Sequence, residues 1–204
     1  MPNIFKFSNA GGFKNLTRYP DMLAGNTVWN PYSPTGAYDA LATVTVPSGG
    51  QASITFSGIP STYTHLQLRA LTRDAAAYSS DSFFASYNGD TGANYAEHWL
   101  SGNGSSASAA SATSQSNMIM GTQLGSTGLA NTFSAAIVDI LDYANTNKYK
   151  THRTLSGNDQ NGSGTIWLSS CRWMNTSAIN SITITGQGGS NLVQYSTFSL
   201  YGVR

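Results

Sequence analysis

The sequence predicts an all-β protein: an antiparallel β-sandwich, jelly-roll-like, with an extended N-terminal arm. Short runs of alternating apolar and polar residues recur along most of the chain. Gly, Asn, Ser and Pro punctuate them at intervals typical of sandwiches, and no long amphipathic helical pattern competes. The third observation is composition. Charged residues make up 9% of the 204 positions, with ten basic and nine acidic, against roughly 25% in ordinary soluble domains. Hydroxyl and amide groups supply the polarity instead. Such weakly charged surfaces suit close packing against copies of the same chain or other neutral surfaces, sugars among them.

The elements follow in chain order. Residues 1–38 form an aromatic, turn-rich segment without a sustained period, carrying Phe5, Phe7, Phe13, Tyr19, Trp29 and Tyr32. Asn15 to Leu23 reads as a helical turn capped by Asn15 and limited by Pro20. Aromatic side chains carry a large burial free energy, so this arm is expected to lie against something, either its own sandwich or a neighbouring subunit. Its six aromatic residues named above are the candidate assembly contacts.

From residue 39 to 204 the chain reads as the sandwich domain. Leu41 to Val46 and Ala52 to Ile59 are strands split by Pro47-Ser48-Gly49-Gly50, which reads as a hairpin turn. Ile54 and Phe56 face inward. His65 to Arg73 repeats the alternation with Leu66, Leu68 and Ala70 inward and Gln67 and Arg69 outward. Ser82 to Tyr87 is a strand closed by Asn88-Gly89-Asp90. Ala93 to Leu100 has Tyr95, Trp99 and Leu100 at helix-compatible spacing, and Ser101 to Asn117 is low in complexity and reads as a surface loop. Met118 to Leu124 returns as a weak strand.

Phe133 to Tyr143 and Lys148 to Leu155 form a hairpin about Ala144-Asn145-Thr146-Asn147. Thr165 to Met174, Ser181 to Thr185 and Ser196 to Val203 bring the set to nine or ten strands. In the last, Phe198, Leu200 and Gly202 share one face while Ser199, Tyr201 and Val203 share the other. Two partly apolar faces mark a central strand, so the chain end is locked into a sheet.

Charge and residue chemistry narrow the function classes. A net charge of +1 withholds the electrostatic term behind nucleic-acid binding. The single Cys171 allows neither an intrachain disulfide nor a multi-cysteine metal cage, and its apolar setting reads as a buried thiol. No apolar run is long enough for membrane insertion, and the first residues lack the pattern of a Sec signal. Sequons stand at Asn15, Asn103, Asn161 and Asn175, as chance allows in so Asn-, Ser- and Thr-rich a chain.

His65, His98 and His152 have no partner at metal-ligand spacing. Glu97 and His98 are adjacent, so their side chains point apart. Asp139 and Asp142, three apart, face opposite sides of a regular strand, and a glycosidase requires two convergent carboxylates. The Asn88 to Asn94 segment offers oxygen ligands around glycines, as a Ca²⁺ loop does, but lacks the further acidic residues of a full shell. It reads as a polar turn. Trp167 and Trp173, six apart, share a strand face, either as inter-sheet core or as a sugar-stacking platform. No catalytic, metal or cofactor site emerges.

Three stretches, Ser8 to Asn26, Ile54 to Arg69 and Ile179 to Arg204, together resemble small virion proteins of tailed bacteriophages, including cyanophage and other aquatic phage examples with tail-fibre-like, decoration or structural roles. The motifs are fold and turn patterns, so no functional residue transfers. The resemblance implies a non-enzymatic protein made in the host bacterial cytoplasm and displayed on the virion exterior. Its implied partners are other virion proteins, capsid or tail subunits, and copies of itself. A tail fibre or adaptor would be a trimer; a head protein would cement the capsid. The alternative is a carbohydrate-binding, lectin-like module that recognises host surface glycans.

Overall fold

A computed structural model of the chain describes residues 37–204. The aromatic contacts expected at Phe5, Phe7, Phe13, Tyr19, Trp29 and Tyr32, and the helical turn at 15–23, lie outside the described residues. Residues 40–204 form one compact unit.

Twelve strands are described: β1 Tyr38–Thr45, β2 Ser53–Ser57, β3 His65–Thr72, β4 Ser80–Tyr87, β5 Tyr95–Gly102, β6 Ala107–Gln115, β7 Met118–Leu124, β8 Ser134–Leu141, β9 Lys150–Asp159, β10 Gly164–Trp173, β11 Ser181–Thr185 and β12 Thr197–Val203. They build two sheets packed as a sandwich. The larger has eight strands in the order β1-β12-β3-β8-β9-β10-β5-β6, the smaller four in the order β2-β11-β4-β7.

This order contains a jelly roll. β1 pairs with β12, β2 with β11, β3 with β8 and β4 with β7, which is the pattern of one long ribbon rolled so that its two halves alternate between sheets. Four strands are added to it. β5 and β6 enter between the two strands at the tip of the ribbon, and β9 and β10 enter between β8 and β11. All four extend the larger sheet beyond β8.

Period-two patterning positions the core. Ile54 and Phe56 of β2, Phe83 and Tyr87 of β4, and Ile182 and Ile184 of β11 are buried against Leu66 and Leu68 of β3, Val138 and Ile140 of β8, and Phe198 and Leu200 of β12. Each such side chain contributes about 1.5–3 kcal/mol when fully buried. At one end Trp173 stacks on Tyr95 with centroids 6.4 Å apart and meets Tyr87 edge-on at 5.7 Å. The Trp173 indole donates to Asp90 Oδ2 at 2.7 Å and the Tyr95 hydroxyl to the Asp90 carbonyl at 2.8 Å. The Asn88–Gly89 turn, both residues at positive φ, is thereby tied to the core.

Several expectations are revised. Ala93 to Leu100 is not helical: Tyr95–Gly102 is strand β5, laddered to β10 with Trp99 opposite Ser169. Residues four apart share a face in a strand as they do on a helix, so the Tyr95 and Trp99 spacing fits both, and the β10 ladder decides. Ser101 to Asn117 is likewise no loop. Asn103–Ser106 turns the chain and Ala107–Gln115 runs back along β5 as β6. Backbone hydrogen bonds hold this strand, which has no bulky side chains to announce it.

Pro47–Gly50 does turn, the Gly50 N–H donating to the Pro47 carbonyl at 3.2 Å, but β1 and β2 lie in different sheets. It is a crossing between layers, not a hairpin. Gln67 points outward yet is covered, donating to Asp139 Oδ1 at 2.8 Å and accepting from Arg69 Nε at 2.8 Å. The expected β8–β9 hairpin is present, with Asp139 opposite Arg153. Lys150 is buried at its base, its Nζ donating to the carbonyls of Asn145, Lys148 and Thr176.

Candidate functional site

The groups with the most reactive chemistry form a structural clasp. Glu97, Cys171 and His152 are successive cross-strand partners on β5, β10 and β9, with side chains toward the small sheet. All three converge on the backbone of Ile119 at the edge of β7. Glu97 Oε2 accepts from its N–H at 3.1 Å, while His152 Nε2 and Cys171 Sγ lie 3.1 and 3.5 Å from its carbonyl oxygen. Ser156 Oγ accepts from the Thr122 N–H at 3.0 Å, so a second β7 group is met from the large sheet.

Burial sets the charge states. It pushes the Cys171 thiol up to about 12 and the His152 imidazole down to about 4, so both are neutral at pH 7. Burial also raises the Glu97 carboxyl, against the lowering effect of the Ile119 N–H. A thiol without its thiolate beside an imidazole committed to a carbonyl and to the Tyr87 hydroxyl at 3.0 Å is a hydrogen-bonded seal for a strand edge.

The other titratable groups are similarly committed. Asp90 resists the upward pull of burial because Trp173, the Gly92 N–H and Asn94 hold it below the usual carboxylate range. These donors occupy both of its oxygens. Asp139 bonds Gln67, whereas Asp142 lies beyond β8 and pairs with Lys148. His65 accepts from the Asp142 N–H at 2.9 Å, and His98 is exposed on the opposite face of β5 from Glu97. Among the described residues no group of three His, Cys, Asp or Glu side chains is placed to hold a metal ion.

The surface feature that stands out is the solvent face of the large sheet. Reading straight across the ladders, Arg69, Ile137, Leu155, Leu168, Leu100 and Ala109 are consecutive cross-strand neighbours on β3, β8, β9, β10, β5 and β6. The adjoining row runs Leu71, Ala135, Gly157, Ile166, Gly102 and Ala107. Leu71, Leu100, Ile137, Leu155, Ile166 and Leu168 are all exposed, up to 66% at Ile166. Large apolar side chains in contiguous rows, unlike scattered single ones, mark an interaction surface. On the other side of the first row a polar row begins with Gln67, Asp139, Arg153, Ser170, His98 and Ser111, and there the surface dips into a shallow hollow between Arg153, Leu168, Leu100 and Ala109. Most of the patch sits on the strands added to the jelly roll.

A second surface feature lies on the opposite side of the same added strands. Trp99 and Trp167 stack with centroids 4.3 Å apart and 28° between planes. Of the two tryptophans on that face of β10, Trp173 belongs to the core but Trp167 does not: it lies half-buried beyond the shelter of the small sheet. Its indole Nε1 is covered and has no hydrogen-bond partner.

Sequence reading did not single out the leucine and isoleucine rows, although a signal was there. Ile137-Val138, Ile140-Leu141 and Ile166-Trp167-Leu168 place apolar residues at adjacent positions, which in a strand must point to both faces. No family model, curated protein or solved structure matches the chain.

Proposed function

We propose that this chain is a non-enzymatic structural subunit of a tailed-bacteriophage virion, displayed on the particle exterior as a tail fibre, adaptor or capsid decoration protein. It seats the outer face of its large sheet on a neighbouring virion protein. The observation that carries this reading is the pair of contiguous apolar rows centred on Leu155 and Leu168, flanked by a charge-balanced polar row. An apolar centre with a polar margin is the anatomy of a protein interface. The sequence resemblance to exterior phage proteins supplies the particle, and the aromatic segment 1–38 supplies a second anchor.

The test is a Leu155→Asp, Leu168→Asp double variant. Both side chains are exposed, so the fold is retained by circular dichroism while incorporation into particles is lost. Undiminished incorporation overturns the reading of this face. Deleting residues 1–38 tests the arm in the same assay.

A specific observation favours a second reading, recognition of host surface glycans. The Trp99–Trp167 pair stands outside the core, half-buried on the side of the added strands away from the leucine rows, and sugars are gripped by aromatic faces. Glycan-array binding that disappears in Trp99→Ala supports it; a blank array with the folded protein removes it.

A further inference from the structure

We infer that β6 is an assembly edge, through which two copies of this chain join their large sheets by antiparallel β6-to-β6 pairing. The inference rests on the exposed backbone of that strand; of the virion roles proposed it fits a decoration protein and not a trimeric fibre.

A two-sheet sandwich has four edges, here β1, β6, β2 and β7, and each presents a row of backbone N–H and C=O groups able to recruit another strand. Three of them are managed. The β7 edge is met by Glu97, His152, Cys171 and Ser156 side chains. β2 has only five residues, and β1 carries the charged Asp39. β6 has nine residues, no charge and no proline, and β5 is its one strand neighbour among the described residues. Alternate residues of β6 therefore turn N–H and C=O groups away from β5, with no gatekeeper beside them among the described residues. The irregularity near Tyr95/Glu97, with Ser114 at φ 57°, blunts only the far end and leaves residues 107–112 as the regular edge.

The occupant that fits is a second copy. β6 carries no formal charge and Glu97, the one formally charged residue of its neighbour β5, is buried toward the small sheet, so the two edge strands meet without a like-charged pair between them. Antiparallel two-fold pairing sets one residue opposite itself, and Ala109 is the position where this extends a pattern already present. Leu168, Leu100 and Ala109 then continue into the partner's Ala109, Leu100 and Leu168, making the apolar row unbroken across both subunits. Ser108 and Ala110 meet the partner's Ala110 and Ser108 on the other face. The arrangement is self-complementary, as a two-fold contact requires, and the recognition resides in main-chain hydrogen bonds.

The experiment is sedimentation equilibrium of the full chain and of Ala109→Lys and Ala109→Asp. Ala109 is exposed, so both variants keep the fold. The wild type is expected to sediment as a dimer or an even-numbered assembly. Each charged variant, bringing like charges together on the two-fold axis, weakens association about tenfold or more. An equimolar mixture of the two restores it. A strictly monomeric wild type, a closed trimer, or dimers indifferent to both substitutions would overturn the inference. So would charged variants that associate normally while binding of an extended peptide from another protein is lost. Leu168→Asp, which alters the face and not the edge, leaves the dimer intact.

Discussion

Leu155 of β9 stands directly opposite Leu168 of β10 on the solvent side of the large sheet, and each leaves half or more of its surface open, 57% and 50%. Cross-strand aliphatic pairs ordinarily stabilise a sheet by a few tenths of a kcal/mol to about 1 kcal/mol. Here the pair lies at the centre of an uncovered apolar row, so its contribution to folding is small while its potential contribution to association is large. The Leu155→Ser, Leu168→Ser double variant is expected to keep the unfolding free energy within about 1 kcal/mol of wild type while binding far less of an apolar dye. A loss of several kcal/mol in denaturant titration would mean that the face is covered.

The buried His152 makes the protein acid-sensitive. Unfolded, the imidazole titrates near 6.5; folded, burial holds it at about 4. Between these values the unfolded state carries the extra proton, so stability is complete above the higher value and falls as pH drops toward the lower, by on the order of 3 kcal/mol. Its immediate surroundings, the Tyr87 hydroxyl, the Ile119 carbonyl and the neutral Cys171, supply no charge to offset this. Glu97 acts in the opposite sense: its raised pKa favours the folded state as pH falls through its own window. Urea midpoints measured from pH 7 to 4 should fall more steeply for wild type than for His152→Gln. Parallel slopes would exclude the imidazole as the cause.

Lys150 should be costly to replace despite having no acidic partner in its clasp. Burial lowers its pKa, but the ammonium satisfies three carbonyls at the base of the β8–β9 hairpin. Lys150→Met keeps the methylene stem and removes the donors, leaving buried acceptors unmet at an expected loss of about 2–3 kcal/mol. A denaturant midpoint unchanged from wild type would show that water takes over the three carbonyls.

Removing residues 197–204 should abolish cooperative unfolding. β12 lies between β1 and β3, and its Phe198 and Leu200 are buried in the core. Its loss separates β1 from the sheet and empties the space facing Phe83, whose ring meets Phe198 edge-on at 6.1 Å. A sharp thermal transition in the truncated chain would contradict this placement.

The all-β class and most strands were legible in the sequence because period-two burial is a local property. Ile54 with Phe56, Leu66 with Leu68, and Phe198 with Leu200 declare an inward face wherever the strand happens to pair. Tyr95 and Trp99 were illegible because a separation of four suits either a helix or a strand. The Ala- and Ser-rich β6 was illegible because its order comes from backbone bonds to β5, which leave no trace in side-chain pattern. Trp167 and Trp173 share strand and face, yet only Trp173 enters the core, since the small sheet covers one end of β10 and not the other.

The sequence by itself determined that the chain folds as layered antiparallel sheets with few charges, since alternation and composition act residue by residue. Tertiary structure alone decided that four added strands carry the larger sheet past its partner. Among the described residues that overhang leaves an apolar face exposed and the β6 edge without a second strand, for burial and edge exposure depend on which strands meet across a fold and not on the order in which they are written.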